Sequence, residues 1–424
     1  MGNKIGSPYR TDSRQYSLFE AALDIQDPWE IKEVHLDRER RRLDIVLDFQ
    51  RGALFSCCEC HRALTAYDTR MREWRHLDFF QYETHIYAPL PRTECPDCGV
   101  KTVNVPWASP QSGFTLFFEA WIIELAQVMT IKAASNRLRV SDDSLWRLLK
   151  RVVTRAISQQ DLSAVCSIAV DETSWQKGHK YVSFVFDYHT RKLIFGVEGK
   201  DHGVLERFAQ HLEAQGGKRE NIRQVCCDMS KAFIKGIEEN FPQAAITFDK
   251  FHVIKAANEA LEKIRRREAQ ENPTLKGTRW DWMKNPSKLN EAERKRINDA
   301  LSRKLLHTGK AYRLKVLLQE ILDARRDMTY EAGKGELKGW LRWALRCRIP
   351  EMVEVAQMIR RHMEGILNWF SSRMTNALLE GYNSVLRAGR GMARGFRTSV
   401  NVIIKSFLTA GNLDYGYPKN IWIP

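Results

Sequence analysis

Residues Ala164–Asp187 read AVCSIAVDETSWQKGHKYVSFVFD, an apolar run that stops on two adjacent carboxylates, Asp171 and Glu172. Alternating apolar residues resume in KYVSFVFDY (180–188) and in KLIFGVEG (192–199), with HTR as the turn between them. Short alternating runs bounded by turn residues mark β-strands. Downstream come a helical pattern VLERFAQHLEA, a strand RQVCCDMS ending in Asp228, a short helix KAFIKGIEENF, and a strand AAITFD ending in Asp249.

Three antiparallel strands, then helix, strand, helix and strand, is the order of a ribonuclease-H-like mixed sheet. In that order, carboxylates at the ends of the first and fourth strands, Asp171 and Asp228, lie side by side. Such close carboxylates repel one another unless a divalent cation supplies countercharge. A pair of Mg²⁺ or Mn²⁺ ions held this way suits phosphodiester displacement. A third carboxylate is needed from a helix beside the strand ends, and RMTNALLEGYNSVLRAGRGMARGF (373–396) offers Glu380. Asn376, Glu380, Asn383 and Arg387 fall on one polar stripe of that helix, while Leu379, Tyr382 and Leu386 face the protein. Arg387, Arg390, Arg394 and Arg397 follow with no acid between them, as a DNA backbone contact requires.

The whole chain supports that partner. It has 424 residues, enough for two or more domains, and 67 Lys and Arg against 52 Asp and Glu, a formal charge of +15. Such charge points to a phosphate backbone or an anionic membrane surface. The longest apolar stretch, FTLFFEAWIIELAQVM (114–129), carries Glu119 and Glu124 and reads as a packed helix, so no membrane partner is expected. MGNKIGSPYR lacks the apolar core of a signal peptide, and Gly6 argues against myristoylation. A cytosolic, nucleoid-associated location is expected.

Among nine cysteines, Cys57 and Cys60, then Cys95 and Cys98, form two C-x-x-C pairs separated by 34 residues. Two such knuckles make a tetrahedral structural zinc site, with Cys58 and His61 as neighbouring alternatives for the first pair. REWRHLDFFQYETHIYAPL (72–90) between them can fold back on itself. Trp29 to Val46, upstream, alternates around a polar turn and suggests a hairpin. Cys166, Cys226, Cys227 and Cys347 read as core.

After the turn-rich VPWASPQSGFT (105–115), MTIKAASNRLRVSDDSLWRLLKRVV (129–153) has the order of a helix-turn-helix. Ala134 permits close approach, Leu138 and Val140 seal the elbow, and Ser141 caps the second helix. Leu145, Leu148, Leu149 and Val152 then face the core. Trp146, Arg147, Lys150 and Arg151 are expected exposed as recognition residues alongside Ser141. From Phe251 to about Phe370 the chain reads as helical and basic, with helix starts at Asn290, Thr308 and Pro350.

With these residues assembled, the chain resembles the ISL-three family of bacterial insertion-sequence transposases. The resemblance rests on PWEIKEVHLD, the two cysteine pairs, the helix-turn-helix, VDETSW, CDMSKAF, FPQAAITFDKFHVIKAANEAL and TNALLEGYNSVLRAGRGMARGF. It implies a DDE recombinase that binds terminal inverted repeats, nicks the transposon ends with water and joins the 3′ hydroxyls to target DNA. The triad it implies is Asp171, Asp228 and Glu380. Asp249 and His252 form a D-x-x-H in a supporting role, with Asn376 and Asn383 beside them.

The expected organisation is α/β. An N-terminal hairpin and zinc module spans 1–106 and a helix-turn-helix 107–160. A ribonuclease-H-like core spans 161–252 and 371–424, interrupted by an all-helical insertion at 253–370. A homodimer or larger homo-oligomer holding two double-stranded ends is the expected assembly. A DNA-binding regulator without catalysis is the alternative, and loss of a triad carboxylate would favour it. A structure-specific nuclease would not need the N-terminal zinc and helix-turn-helix modules. Trp280, Trp282, Trp340 and Trp343 are expected mainly in the core, with base stacking as the other role. Glu172 is expected to turn away from the site.

Overall fold

The computed structural model describes residues 16–176, 178–302, 306–323, 328–375 and 377–417, with the side chains of residues 17, 18 and 377–380 outside that description. The chain divides into two compact units, residues 1–152 with 414–424 and residues 153–413.

The first unit opens with α1 (Ser17–Leu23), then β1 (Trp29–Asp37) and β2 (Arg42–Phe49), the expected antiparallel hairpin. β3 (Leu54–Ser56) and β4 (Ala63–Thr65) form a small ribbon around the first cysteine pair. β5 (Asp68–Phe79) and β6 (Tyr82–Cys95) fold back on each other as expected, and β7 (Gly99–Thr102) pairs with the end of β6. The sheet order is β1-β2-β6-β5, with β2 and β6 parallel. One face buries Trp29, Ile45, Trp74 and Ile86. Trp107 closes this core, its ring 4.8 Å from Trp29 and 5.6 Å from Trp74. Although the residues after 106 were expected to start the next domain, Trp107 and Ala108 are therefore core residues of the N-terminal sheet.

Three helices follow: α2 (Leu116–Val128), α3 (Ile131–Leu138) and α4 (Asp142–Ser158). Thr115 caps α2 and Thr130 caps α3 through side-chain oxygens that accept backbone N–H groups. Arg139 takes the left-handed conformation that turns the chain out of α3, and Ser135 donates to the Val140 carbonyl at 2.7 Å across the elbow.

The second unit contains a mixed sheet of β8 (Ser167–Gln176), β9 (Lys180–Asp187), β10 (Leu193–Glu198), β11 (Gln224–Cys227) and β12 (Ala245–Phe248), with α5 (Gly203–Ala214) and α6 (Lys231–Asn240) in the connections. Its order is β10-β9-β8-β11-β12. β8, β9 and β10 pair antiparallel, whereas β11 is parallel to both β8 and β12. One expectation fails: β8 does not stop at Asp171 and Glu172. It runs on to Gln176, still paired with β9, while its ladder to β11 ends at the Ala169–Cys226 pair. The carboxylates thus sit where β8 loses one of its two partners.

From Asp249 the chain is helical as expected: α7 (Lys250–Glu268), α8 (Arg279–Met283), α9 (Glu291–Ser302), α10 (His307–Asp323), α11 (Tyr330–Leu345), α12 (Pro350–Arg361) and α13 (Met363–Ser372). Asn290 and Glu293 form a reciprocal capping box at the start of α9. α12 begins on Pro350, where a missing N–H costs no helical bond. The start of α10 differs from expectation. It begins at His307, and the distant Glu268 carboxylate accepts from the N–H groups of His307 and Thr308 and from the Thr308 hydroxyl.

The tryptophans divide. Trp282 and Trp340 are 1 % exposed, whereas Trp280 is 65 % and Trp343 38 % exposed. Cys226, Cys227 and Cys347 are buried as expected, while Cys166 is only half-buried.

α13 covers β12, the sheet edge. Asn368 donates to the Ile246 carbonyl at 2.8 Å, and the Ser372 and Thr247 hydroxyls meet at 3.1 Å. α14 (Ala377–Met392) and α15 (Ser399–Ala410) then return to the sheet. Tyr382 of α14 packs edge-on against Phe184 and Phe186 of β9. The opposite face of the sheet is continuous with the core of α5 to α7 and α10 to α13.

Candidate functional site

Register assembles the acidic cluster. Ala169, Cys226 and Thr247 are paired across β8, β11 and β12. Side chains two residues apart along a strand share a face, and neighbouring strands lie about 4.8 Å apart. Two residues beyond these stand Asp171, still in β8, and Asp228 and Asp249, one residue past the ends of β11 and β12, in one row on one face. Asp249 N–H still bonds to the Cys227 carbonyl, which carries the register past the strand end.

Each carboxylate is oriented. Asp171 Oδ1 accepts from the Glu172 N–H at 2.9 Å, and its Oδ2 from Asn383 Nδ2 at 2.7 Å. Asp228 Oδ1 accepts from the Ser230 N–H at 2.9 Å. Asp249 caps α7 through the Phe251 N–H, and its Oδ2 faces His252 Nδ1 at 3.6 Å. Burial raises the Asp171 carboxyl to about 6; the Glu172 N–H bond and His252 oppose the rise, and Asp228 and Asp249 add to it. His252 is held above its ordinary value, chiefly by Asp249. The structure therefore brings Asp171, Asp228, Asp249, His252 and Asn383 together.

Glu172 was expected to turn away from the site, and its place in β8 agrees with that. Strand alternation sends it to the other face of β8, yet burial and then the charges of Asp228 and Asp171 raise it to about 7, with Lys200 and His252 opposing. Among the described residues neither Glu172 Oε2 nor Asp249 Oδ2 receives a hydrogen bond, although both are buried. Buried carboxylate oxygens without donors, next to further carboxylates, are a donor set suited to a hard divalent cation.

α14 carries the stripe expected to complete the cluster. Asn376 and the side chain of Glu380 lie outside the described residues; the backbone of Glu380 is in α14, less than one turn before Asn383. Tyr382 and Leu386 are buried as expected. Arg390 donates to the Ser174 carbonyl at 2.7 Å, tying α14 to the extension of β8. Arg387 bonds back to the Asn383 carbonyl at 3.1 Å, and Arg387, Arg394 and Arg397 are exposed.

In the first unit, the ligand atoms of Cys57, Cys60, Cys95 and Cys98 all lie within 4.8 Å of one another, with Cys60 Sγ and Cys95 Sγ 3.4 Å apart. A tetrahedral zinc ion with ~2.3 Å bonds sets its sulfurs about 3.8 Å apart. The two knuckles match. Backbone N–H groups of Cys60 and Glu59 pull the Cys57 thiol down to about 7, and those of Asp97 and Cys98 lower Cys95. A left-handed residue follows each pair, His61 in one and Gly99 in the other. His61 is thus the turn residue of its knuckle, and Cys58 stands outside the cluster.

The helix-turn-helix places Ala134, Leu138, Leu145, Leu148, Leu149 and Val152 in the interior. Ser141 Oγ accepts from the Ser144 N–H at 3.3 Å, the expected cap. Arg147 is exposed, while Trp146 and Lys150 are half-buried. Arg151 is exposed as expected, yet it has a partner that the sequence did not show. Its guanidinium pairs with the fully buried Glu119 of α2, so its charge is tied to that carboxylate.

Three family models match in chain order. They are the zinc-finger of transposases IS204/IS1001/IS1096/IS1165 over 53–102, the helix-turn-helix domain of transposase family ISL3 over 103–153, and the ISL3 DDE transposase over 168–406. The last covers more than half of the chain. The protein belongs to the ISL3 transposase family. Among its relatives are the transposase for insertion sequence element IS1557 in two Mycobacterium tuberculosis strains, 27 % identical over 93 % of this chain and 96 % of theirs. The transposase for IS1001 of Bordetella parapertussis is 24 % identical over 82 % of this chain and 87 % of its own. The helix-turn-helix and transposase domains make this ISL3 protein a DNA-binding one, and the zinc-finger match supports structural Zn²⁺ at the four cysteines. Among the described residues no helix is long and apolar enough to cross a membrane.

Proposed function

We propose that the chain is an active transposase that binds the terminal inverted repeats of its insertion sequence and catalyses Mg²⁺-dependent DNA cleavage and strand transfer. The observation that carries this reading is the row Asp171, Asp228 and Asp249 across three adjacent strands, with α14 docked on it through Asn383. The strand order supports a ribonuclease-H-like core, which the helices between β12 and α14 interrupt. Asp171, Asp228 and Glu380 are the triad that would hold Mg²⁺ or Mn²⁺. When bound, such cations activate the attacking oxygen and stabilise the leaving one.

The chain's own residues prepare that site. Asn383 and the Glu172 N–H fix both oxygens of Asp171, and the Ser230 N–H fixes Asp228, so neither carboxylate must be ordered when DNA arrives. His252 faces Asp249 and offsets the charge of the row. Arg387, Arg394 and Arg397 supply exposed positive charge for the DNA backbone beside the site, with Arg390 also anchoring β8. Ser141, Trp146, Arg147 and Lys150 present the recognition helix to the terminal repeats. A homo-oligomer acting on two ends in the bacterial cytosol, at the nucleoid, completes the proposal.

The test is cleavage and strand transfer on DNA carrying the element's ends, with and without Mg²⁺. Asp228→Asn and Glu380→Gln are expected to abolish both steps. Asn383→Ala, which frees Asp171 from its orienting donor, is expected to lose about 10- to 100-fold. Equal activity of Asp228→Asn and the wild type would sink the triad. Inactivity of the wild type on proper ends would favour a DNA-binding regulator.

A further inference from the structure

Glu119 of α2 is fully buried, and its carboxylate gathers four donors from separate parts of the first unit. Ser109 and Ser112, from the loop before α2, donate to its two oxygens. Arg151, near the end of the first unit's share of α4, pairs with Oε1. Tyr417, 298 residues away in sequence, donates its hydroxyl to Oε2 at 2.8 Å. Two residues earlier, the half-buried Tyr415 lies beside Gln127 on the same helix. A buried charge is tolerated only when paired and hydrogen-bonded, so each donor stabilises the arrangement of the others.

We propose that residues 414–417 form a strap belonging to the DNA-binding unit, and that Arg151 is a positioning residue locked by Glu119 rather than a contact to DNA. The geometry gives each part a role. The Glu119–Arg151 pair sets the rotation of the recognition helix α4 against α2. Tyr417 supplies the remaining donor to the same carboxylate, so seating the strap and seating α4 are one event. The chain that leaves α15 at Ala410 therefore returns within a few residues to complete the unit that holds the recognition helix. This inference rests on the reading that the helix-turn-helix grips the element's ends.

Two measurements on the full-length protein test it. Hydrogen exchange without DNA reads the strap. Glu119→Gln and the milder Tyr417→Phe are expected to raise exchange of residues 414–417 about tenfold or more, in step with faster exchange in α2. Unchanged protection in both variants would overturn the strap.

DNA binding over a range of salt reads Arg151. A phosphate contact weakens all sequences alike, and its loss reduces the salt slope by about one. Arg151→Gln is expected instead to keep the slope and the affinity for unrelated DNA while losing preference for the end sequence. Its effect should also be non-additive with Glu119→Gln. A slope reduced by about one, with additive effects, would overturn the positioning role. A wild type that binds no DNA would count against the DNA-binding reading itself, while the exchange experiment would still decide the strap.

Discussion

Asp171 meets three neighbouring carboxylates and one imidazole in a half-buried setting, and the charge balance there depends on pH. Burial sets Asp171 at about 6 and Glu172 at about 7, well above ordinary values of about 4. Raised carboxyls bind protons more tightly folded than unfolded, so without a cation the fold loses stability as pH rises through that window. The raised His252 acts in the same direction, since its stabilising proton is lost as pH rises through its folded value. A divalent cation replaces those protons. Mg²⁺ is therefore expected to raise the melting temperature of the second unit more at pH 8 than at pH 6, in thermal melts at both values with and without the ion. Equal increments at the two values would argue against a cation seat at these carboxylates.

Elements carry the next level of control. The row of aspartates depends on β12 staying in register with β11, and β12 is an edge strand held by α13. Gly365 makes that approach possible, because a Cβ there would meet the Phe248 ring at 2.5 Å and the Ile246 carbonyl at 3.3 Å. Gly365→Ala is expected to cost about 1 to 3 kcal/mol through overpacking and to displace Asp249 with the strand. Denaturant unfolding measures the first effect and strand-transfer activity the second. Stability and activity both at wild-type levels would show that α13 does not set the edge. β8 teaches a related lesson. Beyond Asp171 its residues Glu172, Thr173, Ser174 and Gln176 carry no apolar run, and only their pairing with β9 reveals that the strand continues.

For the molecule as a whole, each unit has a hydrophobic core of its own among the described residues, one on the N-terminal sheet and one on the mixed sheet. The four-cysteine cluster joins the β3–β4 ribbon to the end of β6 in the first unit only. Stripping zinc with a chelator is expected to lower the melting of the first unit while leaving the second, because metal binding free energy is folding free energy for the segment it ties. Calorimetry with and without chelator reads both transitions. A matching drop in both would mean that the two cores unfold as one.

The alternation of apolar residues, the two cysteine pairs and the order of strands and helices are local properties, and the sequence alone determined them. Asp171, Asp228 and Asp249 could be singled out because strand ends are short-range patterns, and His252 because the family resemblance implies a D-x-x-H there. Tertiary structure decided the rest. Glu172 is buried on the other face of β8 where that strand outlasts β11, and the exposed Arg151 is tied down because a carboxylate 32 residues away on α2 is buried beside it. Glu268 caps α10 from another helix, and Trp280 and Trp282, two residues apart, divide between solvent and core. Each of these outcomes is fixed by which partner lies across a packed interface, and spacing along the chain carries no record of that partner.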